Sequence, residues 1–104
     1  MNFKKLMKEA QKAQAKAAEV QEKLTAARVE GTAGGGLVRA VVDGHGAVVG
    51  LEIDSRVMDP DEPEALADLI LVAIQEAQKQ AKEVAEREMQ STLGALGGFL
   101  GGGF

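Results

Sequence analysis

The sequence contains no cysteine, tryptophan or tyrosine, and its three aromatic residues are all phenylalanine. The absence of cysteine excludes disulfide frameworks, thiolate metal sites and cysteine nucleophiles, and it fits a reducing compartment. There is a single histidine, His45, and only Ser55 and Ser91 as serines, so nucleophile–base chemistry has little to draw on. Long apolar runs are missing too. The longest, Leu69 to Ile74, falls far short of the ~20 residues of a membrane-spanning helix. The opening Met1-Asn2-Phe3-Lys4-Lys5-Leu6 leads into no apolar signal region, so the cytoplasm is the expected compartment. Positive charge is in the minority, with 12 Lys and Arg against 16 Asp and Glu and a net charge of −4. That balance speaks against a protein held to nucleic acid by bulk charge.

What is present fits one small folded domain. The chain has 104 residues, of which 45% are hydrophobic and 27% charged, which argues against wholesale disorder. Charge is unevenly placed: residues 1–26 carry six Lys and three Glu for a net +3, while residues 55–104 carry a net −5.

Residues 2–27 read as one long helix. Phe3, Leu6, Ala10, Ala13, Ala17, Val20, Leu24 and Ala27 recur in steps of three and four, and neither Gly nor Pro interrupts them. Between Arg28 and Asp54 the period changes to two. Val38, Ala40 and Val42, then Ala47, Val49, Leu51 and Ile53, predict a hairpin about Asp43-Gly44-His45-Gly46. Arg28-Val29-Glu30 predicts a third strand, set apart by a Gly31–Gly36 connection. Asp59–Glu64 opens a second long helix, with Asp61 and Glu64 at capping-box spacing, and glycine ends it near Leu93. The expected fold is therefore α+β: a long helix, a three-stranded antiparallel sheet and a long helix. Residues 1–93 form the helix–sheet–helix domain, and residues 94–104 a flexible Gly-rich apolar tail. Helices of ~25 residues outrun strands of ~7 by more than 10 Å and must project. Exposed seams and an open sheet call for a second copy of the chain, a homodimer.

Four features invite a chemical reading. His45 sits between glycines in a turn, where solvent exposure accounts for it and no catalytic partner is in view. The Gly31–Gly36 segment resembles a phosphate loop, but it leads into a strand and carries no Gly-Lys-Ser/Thr. Asp59, Asp61, Glu62 and Glu64 do not match a calcium loop and suit a helix start, so no metal is assigned. Lys4, Lys8, Lys12 and Lys16 repeat at steps of four. They form a row away from the seam that Lys5 and Lys23 extend, with Glu19 placed to pair with Lys23. Such a row is a solvated helix face or a nucleic-acid footprint, and no aromatic motif for stacking single-stranded bases accompanies it. No cofactor, catalytic centre or small-molecule substrate is implied, and the chain is not expected to be an enzyme.

Three segments together resemble the YbaB/EbfC family of bacterial nucleoid-associated proteins: Asn2–Gln14, Val29–Asp54 with its Gly36-Leu37-Val38, and Asp59–Ile74. The resemblance implies a homodimer with helices projecting like tweezers. It further implies double-stranded DNA binding in the nucleoid, with roles in DNA organisation, gene expression and DNA protection. Lys4, Lys5, Lys8, Lys12, Lys16 and Lys23 then become the candidate DNA-binding residues, contacting phosphates with little sequence specificity. The competing expectation is a protein–protein adaptor that uses the heptad seams and the apolar tail, with a possible link to recombinational repair.

Overall fold

A computed structural model describes the backbone of residues 2–101 and the side chains of residues 2–94. Helix α1 spans Phe3–Ala26, strands β1 Val29–Ala33, β2 Val38–Val42 and β3 Val48–Ile53 follow, and helix α2 spans Pro63–Gly101. A single 3-10 turn, Ser55–Val57, leads from β3 toward α2. The strands form one antiparallel sheet in the order β1-β2-β3.

Strand β1 is longer than expected. It runs on through Gly31-Thr32-Ala33, which the sequence reads as part of a loop, because Gly31 and Ala33 pair with Ala40 and Val38. The turn itself is confined to Gly34–Leu37, with Gly34, Gly35 and Gly36 all at positive φ, a conformation that side chains disfavour. Strand β3 also departs from simple alternation. An irregularity at Val41/Val42 pairs Val42 with Val48, so Val48, rather than the expected Val49, shares a face with Leu51 and Ile53.

Helix α2 lies across β1 and β2. Ala73, Ala77 and Ala81 are buried against Ala33, Val38, Ala40 and Val42, with Leu66, Leu69, Ile70 and Ile74 packed around them. The small side chains bring α2 very close to the sheet. At Gly31 a Cβ would overlap the Ala73 carbonyl oxygen and the Ala77 nitrogen, so only glycine fits there. On the opposite face Arg39 of β2 spans the sheet, donating to Glu30 of β1 at 2.8 Å and to Glu52 of β3 at 2.6 Å. The hydrogen bond to Glu52 and the charges of both carboxylates raise the Arg39 pKa above its ordinary value.

The start of α2 differs from the expected capping box. Pro63 takes the first helical position and Glu62 O accepts from Leu66 N, while the Asp59 carboxylate holds the preceding turn through Asp61 N at 2.9 Å. The far end differs as well. Backbone helix continues past Leu93 to Gly101, through Gly94, Gly97 and Gly98. Each glycine costs about 1 kcal/mol against alanine, but the intervening Ala and Leu favour helix and no proline stops it. The expected flexibility of residues 94–104 falls, beyond Gly94, on residues whose side chains lie outside the described ones. At ~1.5 Å per residue α2 reaches about 58 Å, and the molecule measures 71 × 20 × 16 Å.

Candidate nucleic-acid interface

Helix α1 is anchored at one end and free at the other. Val20 and Leu24 are its buried residues. The β2–β3 turn clasps it there: Gly44 N–H donates to Leu24 O at 2.7 Å, and the His45 ring meets the Thr25 hydroxyl at 3.2 Å. A Cβ at Gly44 would come within 2.6–2.9 Å of Leu24. Gln78 of α2 donates to Gly46 O at 3.0 Å, so one turn joins α1, the sheet and α2. His45, the histidine considered for catalysis, is thus a fastening of the arm. The Asp43 carboxylate shapes the turn by accepting from Ala47 N and His45 N, and these bonds lower its pKa.

From Val20 back to Asn2 the helix faces solvent on most sides. Asn2 caps it, accepting from Lys5 N at 3.3 Å. All six candidate lysines, Lys4, Lys5, Lys8, Lys12, Lys16 and Lys23, are exposed. The structure brings the first five into one basic surface, since Lys4 to Lys16 spans about 18 Å of helix axis. Lys23 sits apart, in the last turn beside the clasp. Among the described residues Lys16 alone of the six forms an ion pair, with Glu19 at 3.5 Å. The expected Glu19–Lys23 pair is not made, because Glu19 turns to the lysine one turn earlier. Lys4 and Lys5 occupy a first turn that holds no acid. Cations at a helix N-terminus oppose its dipole, so stability of α1 does not explain them.

Two features were not singled out from sequence. Phe3 and Met7 are exposed at the free end of α1, although Phe3 falls on the apolar seam. They line a concavity of about 610 Å³ together with Lys4, Lys5, Lys8 and Gln11. The signal was the seam's composition, with large side chains at its start and alanines in its middle. Among the described residues no group of three or more His, Asp or Glu is clustered as ligands for an ion. No helix among them is long and apolar enough to cross a membrane.

Fold and site together define a helix–sheet–helix protein that holds out a basic helical arm. The model of the YbaB/EbfC DNA-binding family matches residues 1–96. A nucleoid-associated protein of Thermus thermophilus is 52% identical over 103 residues, covering 97% of each chain. One of Chloroflexus aurantiacus is 46% identical over 100 residues, covering 96% of this chain and 100% of its own. In the crystal structure of an uncharacterized Helicobacter pylori protein the same fold recurs, with a TM-score of 0.75 at 22% identity over 89% of this chain and 98% of that one. The chain belongs to the YbaB/EbfC DNA-binding family.

Proposed function

We propose that this protein binds double-stranded DNA in the nucleoid as a homodimer with little sequence specificity, altering the conformation and organisation of the DNA. Lys4, Lys5, Lys8, Lys12, Lys16 and Lys23 contact phosphates, which position the protein without reading bases. The observation that carries this reading is the row of exposed lysines, five of the six without an ion pair among the described residues, on the arm of a chain from a DNA-binding family. The acidic α2 keeps the net charge negative, so affinity is modest and strongly salt-dependent. Effects on gene expression and DNA protection follow from occupancy of the duplex.

The uncovered side of the sheet supports the dimer. Strand β3 is an edge that α2 does not cover, and Val48, Val49 and Leu51 stand exposed on it. Apolar side chains on an unpaired strand edge favour pairing with another chain. Fluorescence anisotropy with a long duplex, taken across a salt series, tests the reading alongside light scattering of the free protein. Binding that weakens steeply with salt and a mass of two chains are expected. No binding at low salt overturns the DNA assignment, and a monomer mass at micromolar concentration overturns the dimer.

A further inference from the structure

The free end of α1 combines two chemistries where phosphate contact needs only one. Phe3 is 71% exposed and Met7 50% exposed, and both line the concavity whose remaining walls include Lys4, Lys5, Lys8 and Gln11. Phe3, Met7 and Gln11 succeed one another at steps of four, so they stack along one side of the helix with Lys4 and Lys8 next to them. Glu9, the acid of this segment, is two positions from Met7 and off that row. A phenylalanine left this open forgoes most of the stabilisation that burial of its ring would give. The charge around it selects what can cover it: the rim is cationic, and its lysines have no ion pair among the described residues. With lysines along one flank of the row and Leu6 and Ala10 along the other, an occupant must offer negative charge beside an apolar, planar interior. Duplex DNA has that layout, with phosphates along the groove edges and stacked bases inside.

We propose that Phe3 and Met7 form a wedge that enters between base pairs from the minor groove and kinks the duplex. Lys4, Lys5 and Lys8 hold the flanking phosphates, and the Gln11 amide meets the base-edge acceptors on the groove floor. This rests on DNA binding by α1 and adds the mode of contact. The energies oppose one another closely. Unstacking a step costs about as much as burying the exposed ring and thioether returns. Affinity is therefore left to the lysines, while the wedge sets the bend. Pyrimidine–purine steps, the easiest to unstack, are preferred.

Single-molecule stretching of a long duplex at low salt tests this, comparing the wild-type protein with Phe3→Ser/Met7→Ser and with Met7→Ala alone. At saturation the wild type lowers the apparent persistence length about two-fold from ~50 nm. The double variant binds within about three-fold of wild type with an unchanged salt slope, yet leaves the DNA at ~50 nm; Met7→Ala falls between. Circular dichroism checks that both variants keep their helix. Variants that bend DNA as the wild type does overturn the wedge, as does a wild type that binds without bending. Both outcomes leave phosphate binding by α1 standing. If the substitutions instead change the mass in light scattering, the face joins protein chains and the wedge is refuted. A wild type that fails to bind DNA at low salt refutes the DNA reading itself.

Discussion

Replacing Gly31 with alanine probes the closest contact in the fold. The added Cβ would overlap the Ala73 carbonyl oxygen and the Ala77 nitrogen and lie 2.9 Å from Ala77 Cα. Carbon atoms rest at roughly 3.5–4.0 Å, so α2 must withdraw by about 1 Å. The obstructing atoms are backbone and cannot rotate aside. A gap of that size forfeits about a quarter to a half of the dispersion energy along the seam. The seam comprises Ala73, Ala77 and Ala81 against Ala33, Val38, Ala40 and Val42. Overpacking ordinarily costs ~1–3 kcal/mol, and rigid neighbours place this site at about 3. For a domain of this size that lowers Tm by roughly 12–24 °C. Thermal melts by circular dichroism at one fixed protein concentration measure it, with Gly94→Ala as a control. Gly94 is helical with nothing within 4 Å of its added Cβ, and alanine there leaves Tm unchanged or raises it. A Gly31→Ala protein melting within about 2 °C of wild type would refute the close crossing of α2 over β1.

Gly44→Ala drives a methyl group against the Leu24 backbone and pushes α1 from its clasp; a loss of ~1–3 kcal/mol is expected in chemical denaturation. A wild-type denaturation curve for that variant contradicts the clasp. Asp54 accepts Arg56 Nε at 3.0 Å and Arg56 Nη2 at 2.9 Å, and also the Arg56 backbone N–H. These bonds, led by the side-chain pair, lower its pKa to about 2. A carboxyl held below its unfolded value stabilises the fold above that value, and the contribution is lost as pH falls from about 4 toward 2. Asp54→Asn therefore flattens the decline of Tm in that window and leaves the pH 5–7 region parallel to wild type. An acid limb identical to wild type contradicts the role of Asp54.

The sequence disclosed what local periodicity encodes. Steps of three and four from Phe3 to Ala27 marked α1, and alternation about Gly44 and His45 marked the hairpin. It misled where a distant contact decides the local state. Gly31-Thr32-Ala33 has the composition of a loop, yet β2 pairs with it and α2 crosses so closely that glycine alone fits. The β3 irregularity at Val41/Val42 likewise leaves no trace in the alternation of Val and Leu. For the candidate interface, the four-residue spacing of Lys4, Lys8, Lys12 and Lys16 was visible at once. That Glu19 takes Lys16 rather than Lys23 depends on rotamers, which spacing does not fix. Phe3 counted as a seam residue, and only the fold shows that the seam is buried at Val20 and Leu24 while Phe3 stays open.

Whether the arm, rather than the body, meets DNA decides how this protein works. Lys8→Glu/Lys12→Glu/Lys16→Glu reverses three exposed charges in mid-helix and touches no packing contact of the core. Anisotropy with a long duplex, measured from low to physiological salt, reads both the affinity and its slope. Three lost phosphate contacts reduce the slope of log affinity against log salt by about 2.7 for each engaged arm, and repulsion from the new carboxylates abolishes binding at physiological salt. A variant that keeps its helix content and its mass but binds DNA with wild-type affinity and slope would contradict the assignment of α1 as the DNA-binding arm.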